Sequence, residues 1–89
     1  MNNSINYATR DLGEAATLLT LGMQMTDVVW KDKVAFFVFA GKIQCAEIGK
    51  QYFFGNVQVS ARALVDNIKN LKKQVFSFKE KNNSSRGAK

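Results

Sequence analysis

The residues of this chain whose types and spacing could do chemistry are basic, and they gather toward one end. Arg62, Lys69, Lys72 and Lys73 share one stretch, and Lys79 and Lys81 follow it. As far as Ile68, six basic residues are matched by six acidic ones. From Lys69 onward seven basic residues face only Glu80, so the whole net charge of +6 is carried there. Clustered lysines and arginines neutralise phosphates and release counterions, which is the electrostatic footprint of nucleic-acid binding. Trp30 and Phe37, in a strand-like stretch upstream, are aromatic surfaces on which bases can stack. The pattern predicts weak, non-specific binding of single-stranded DNA or RNA through a basic C-terminal helix and tail.

Catalysis has little to work with. The chain has no histidine, which removes the commonest general base and most zinc or iron sites. Its single cysteine, Cys45, permits neither an intrachain disulfide nor a cysteine-based metal site, and reads as a small apolar residue on a helix. Asp11 and Glu14 form a carboxylate pair at helical spacing, which a helix N-terminus explains. Ser60 sits at a cap and not on a nucleophile elbow. The six glycines build neither a phosphate loop nor a dinucleotide fingerprint. The expectation is a non-enzymatic protein with no cofactor and no metal.

The element that presents these lysines is Ser60 to Phe78. Leu64, Ile68, Leu71, Val75 and Phe78 alternate steps of four and three, one stripe of an α-helix, while Arg62, Lys69 and Lys73 project to its other side. Ser60 is a suitable N-cap. The remaining 80–89 stretch, EKNNSSRGAK, reads as a flexible basic tail behind a single domain spanning 1–79.

Upstream, Met1 to Tyr7 reads as loose, and Thr9 as the cap of a helix that buries Leu12, Ala15, Ala16 and Leu19 and ends at Gly22. Met25 to Trp30 and Val34 to Phe39 read as two strands of a hairpin broken at Lys31-Asp32-Lys33. Lys42 to Phe54 is a second helix stopped by Gly55-Asn56. Val57 to Val59 is an extended link that can serve as a third, edge strand. The predicted fold is α+β in the order α-β-β-α-α, a β-hairpin packed by helices with a long C-terminal helix.

The strand VAFFVF is apolar on both sides: Phe36 and Val38 share one face, Phe37 and Phe39 the other. Helices cover one face of so small a hairpin, so the second needs another cover. A homodimer through Phe37, Phe39, Val75 and Phe78 would supply it. The competing function is therefore a homo-oligomeric interaction module, or a phage or plasmid accessory protein that inhibits a host protein. The longest apolar run, Val34 to Ala40, is too short to cross a bilayer, and MNNSINYATRD lacks the apolar centre of a secretory signal. A cytoplasmic protein with no membrane partner is expected.

Tyr7-x-Thr9-x-Asp11-Leu12 before an Ala/Leu helix ended by Gly22, then Phe37-Val38-Phe39, Tyr52-x-x-Gly55, and Val59-Ser60-Ala61-Arg62-Ala63-Leu64 running to Leu71-Lys72, form a set of short motifs. This set resembles a small prokaryotic family, found in bacterial, archaeal and mobile-element proteins, that is known only as a domain of unknown function. The resemblance spans about Tyr7 to Ser77. It implies one complete domain and carries over no activity and no site residues. Within it, Thr9 and Asp11 read as helix-start residues, and Arg62, near the start of the last helix, as a surface or ion-paired residue or a phosphate contact.

Overall fold

A computed structural model describes the backbone of residues 6–87 and the side chains of residues 6–77. The elements run β1 (Asn6–Thr9), α1 (Leu12–Thr20), β2 (Met25–Lys31), β3 (Val34–Ala40), α2 (Lys42–Phe53) and α3 (Ala61–Gly87). Three antiparallel strands in the order β1-β3-β2 and three helices make an α+β fold.

β2 and β3 form because both are rich in β-branched and aromatic residues, and their turn is two residues long. Asp32 and Lys33 both have positive φ, 52° and 68°, as a type I′ turn requires, although neither is glycine. β1 is a strand the sequence reading missed. It lies along the other side of β3, with Tyr7 opposite Phe39 and Thr9 opposite Phe37. The third strand thus comes from the N-terminal side. Val57–Val59, expected as a possible edge strand, is irregular. With β1 in place β3 is central, so its uninterrupted apolar character no longer lies at an edge.

Alternation and register sort the side chains. Tyr7, Thr9, Val28, Trp30, Phe37 and Phe39 share the face covered by helices, where Phe39 is 0% exposed and packs with Ala15, Ala16, Leu18, Cys45 and Leu71. Phe37 and Phe39 were expected at the surface, as a stacking platform and an oligomer contact. Both are buried in the core of their own chain, which removes them from those roles. Val75, also expected at an oligomer interface, is half-buried against that core. The side chains of Phe78, Lys79 and Lys81 lie outside those described, while the backbone of α3, expected to end near Phe78, continues as helix through Gly87, over most of the stretch expected as a flexible tail from residue 80.

The opposite face of the sheet carries Ala8, Val29, Phe36 and Val38, with Val29 43% exposed. The outer edge at β2 is blunted. Its pairing slips between Met25 and Asp27, and the Asp27 carboxylate accepts the Val28 N–H at 2.8 Å, taking up an edge donor.

The helix ends follow local chemistry. α1 ends in a Schellman motif, with Met23 N–H donating to Leu18 O, Gly22 N–H donating to Leu19 O, and Gly22 at φ 94°. α2 ends the same way at Gly55 and Asn56. Ser60 Oγ accepts from Ala63 N–H at 3.2 Å and starts α3. α3 docks chiefly on α1 through the predicted seam: Leu71 is buried, and Leu64, Ile68 and Val75 pack around it.

Leu71→Ala is expected to cost about 2–5 kcal/mol in urea unfolding, the range for deleting a buried leucine side chain. Lys69→Ala, on the exposed side of the same helix, should shift stability by less than about 0.5 kcal/mol. Equal unfolding midpoints for the two variants would show that the seam is not docked.

Candidate nucleic-acid interface

Two polar constellations stand out: one sealed inside the fold and one open at its surface. The sealed one centres on Glu14, which is 2% exposed. Tyr7 Oη donates to its Oε2 at 2.5 Å, and Thr9 Oγ1 donates to its Oε1 at 2.6 Å. Thr9 Oγ1 also accepts from Asp11 N–H at 3.1 Å. Asp11, rather than Thr9, is the N-cap of α1, its carboxylate accepting Glu14 N–H at 2.8 Å. Asp11 and Glu14 have the spacing of a capping box, but the box is open. The Asp11 N–H that Glu14 would normally take is held by Thr9, which frees Glu14 to turn inward. From α2, Tyr52 Oη approaches the same Asp11 oxygen at 3.4 Å.

Burial, helped by the bond to Glu14 and its negative charge, pushes the Tyr7 hydroxyl up to about 12 from its ordinary 10. Burial and then Asp11 raise Tyr52 as well, and burial and then Glu14 raise the Cys45 thiol. A substrate cannot reach a carboxylate this deep, and a thiol held in its protonated form is a poor nucleophile. This network is structural. Among the described residues no group of three Asp, Glu, Cys or His side chains is placed to hold a metal.

The open constellation is a groove of about 500 Å³ between the hairpin and α3. Phe37 contributes from the core, and Trp30, opposite the small Ala35, contributes the wall. Arg10 from the β1–α1 junction, Lys33 from the turn, and Lys72 from α3 also line it, and none of the described lining residues is acidic. Phe76, 61% exposed, stands at the α3 side. Trp30 Nε1 is buried without a hydrogen-bond partner. Lys69, Lys72, Lys73 and Phe76 then form a shallow basic patch along the adjoining flank of α3.

The structure therefore brings Trp30 and Lys72 together in one groove, with Lys69 and Lys73 beside it. Phe37 is present only as an inaccessible contributor. Arg62 is exposed in the first turn of α3, well along the helix from Lys72 and outside both lining sets. Arg10, Lys33 and Phe76 were missed. Phe76 carried a signal, since a large aromatic one position off the seam lands on the lysine side of the helix. Comparison with known protein families, with characterised proteins and with solved structures finds no match to this chain. Among the described residues no helix is long and apolar enough to cross a membrane.

Tyr7→Phe should lower stability by about 1–3 kcal/mol, because one oxygen of the buried carboxylate loses its donor. Folding holds the Tyr7 proton more tightly than the unfolded chain does. That contribution is intact below pH 10 and is lost as pH rises through about 12. An absorbance titration near 295 nm should show less tyrosinate at pH 10 than two ordinary tyrosines would give, with ionisation of Tyr7 accompanied by loss of folded signal at higher pH. Ordinary titration of both tyrosines near 10 with the fold intact would contradict the network.

Proposed function

We propose that this protein is a small, non-enzymatic, cytoplasmic module of the family its motifs resemble, and that it binds single-stranded nucleic acid weakly and without sequence preference. The observation that carries this reading is the groove, where cations from three separate segments surround an apolar, aromatic-lined trough. Phosphates supply the negative charge such a rim attracts, and bases supply planar apolar surface for its interior. Lys69 and Lys73 extend the positive strip along α3, a path that a sugar–phosphate backbone can follow.

A second reading, a homodimer joined through the outer sheet face, is favoured by the apolar set Val29, Phe36 and Val38 on that face. It differs from the interface expected from sequence, since Phe37 and Phe39 belong to the core. The two readings are compatible, because the groove opens on the opposite side of the sheet. Light scattering at tens of micromolar separates them: a monomer that still binds nucleic acid leaves only the first.

Fluorescence anisotropy with labelled oligonucleotides, at about 50 mM and about 200 mM salt, tests the binding reading. If about three phosphates are neutralised on a single strand, log affinity should fall with log salt at a slope near −2. Lys72→Ala should weaken binding and reduce that slope by about 0.7. Lys42→Ala, on α2, should change neither. No binding at the lower salt would remove the proposal.

A further inference from the structure

We infer that the groove seats an unstacked base, so that the protein discriminates strands that present free bases from bare phosphate backbone and from duplex. This rests on the nucleic-acid reading and specifies which part of the ligand enters the site. A groove of about 500 Å³ is within the size range of sites that hold nucleoside-sized ligands. Its interior is apolar, contributed by Trp30, Leu12, Val34 and Val75, while its charge comes from the lysine and arginine side chains among the lining residues. A phosphate placed on that interior would be stripped of water against apolar groups. A base placed there covers them and leaves its phosphates for Arg10, Lys33 and Lys72.

The indole of Trp30 adds a second, independent observation. Its N–H is the one buried side-chain polar atom, among the described residues, with no partner. Buried donors are seldom left unpaired, and a turn of the indole that brought this N–H to an acceptor on the bound base would relieve that standing cost. Nucleobases carry carbonyl and ring-nitrogen acceptors at their edges. In a duplex those edges are paired or directed into the grooves and the faces are stacked. A single strand offers both edge and face. Phe76, exposed beside the same groove, provides a further aromatic face for the base or its neighbour.

The experiment uses the full chain, and its single tryptophan makes the readout local. Excitation near 295 nm reports Trp30 alone. Four probes are titrated at low salt: a single-stranded oligothymidine, an abasic strand of the same length and charge, a duplex, and inorganic phosphate. The expected result is that the oligothymidine shifts or quenches Trp30 emission and binds about tenfold more tightly than the abasic strand, while duplex and phosphate leave the emission unchanged. Trp30→Phe should remove most of that tenfold preference while keeping the salt slope, with circular dichroism confirming the fold. Should the variant fail to fold, the wild-type comparison of base-bearing and abasic strands decides the matter by itself. Equal affinity for the two strands, or binding without any change at Trp30, overturns the base seat while leaving backbone binding in place. Absence of binding by every strand in anisotropy overturns both.

Discussion

The fold depends on one carboxylate that has no business being buried unless it is held. Glu14 is sealed in the interior with hydroxyls, not a cation, on both of its oxygens. An unpaired carboxylate there would cost several kcal/mol, so Tyr7 and Thr9 are fixed where they are by the penalty for leaving. Both belong to β1, a strand of four residues with little apolar surface of its own. The hydroxyl pair thus clips β1 to α1. By doing so it converts a two-stranded hairpin, marginal alone, into a three-stranded sheet. The helical glycines fit this account. A side chain at Gly49 would collide with the Glu14 carboxylate, and one at Gly13 would collide with the Tyr52 hydroxyl. Each glycine costs a helix about 1 kcal/mol relative to alanine, and here that cost lets helix and polar network approach.

What the sequence made legible follows from range. The seam of α3, the Ser60 cap, the glycine stops and the hairpin are set by patterns within a few residues, and each lies where periodicity placed it. β1 was hidden because Asn6–Thr9 is only four residues long and has little apolar content to mark it. Its partner, β3, is about thirty residues away. The same distance concealed the role of Thr9, whose position before a helix mimics a cap until the strand and Glu14 are seen. The two-sidedness of VAFFVF was visible, but which face the helices would cover was not, since both faces carry phenylalanine. That single undecided choice is why Phe37 and Phe39 were expected at the surface and lie in the core.

The motif residues and the groove residues are mostly different sets, and the difference has a physical meaning. Tyr7, Thr9, Asp11, Gly22, Tyr52 and Gly55 are all occupied in caps, helix stops and the Glu14 network. They specify the fold. Arg10, Lys33 and Phe76 lie outside those motifs, and only Leu12, Phe37 and Lys72 are shared with them. A scaffold fixed by an internal polar clip can vary its surface cations without disturbing its core. A likeness in the motifs consequently speaks to architecture and is silent on what the groove holds.

The groove itself is a consequence of unequal lengths. β2 and β3 are seven residues each, whereas the first helix over them spans nine residues, a shorter rise than the hairpin's reach. α3 docks mainly on α1 and so passes beside the hairpin tip without closing on it. Trp30 and Lys33 on one bank and Lys72 and Phe76 on the other line the same groove. Like charges from Arg10, Lys33 and Lys72 across that gap repel each other modestly at surface dielectric. A ligand with acidic groups at its rim and a flat apolar body inside would replace that repulsion with attraction. By linkage, a molecule bound only to the folded arrangement would stabilise it to a degree set by its concentration relative to its dissociation constant.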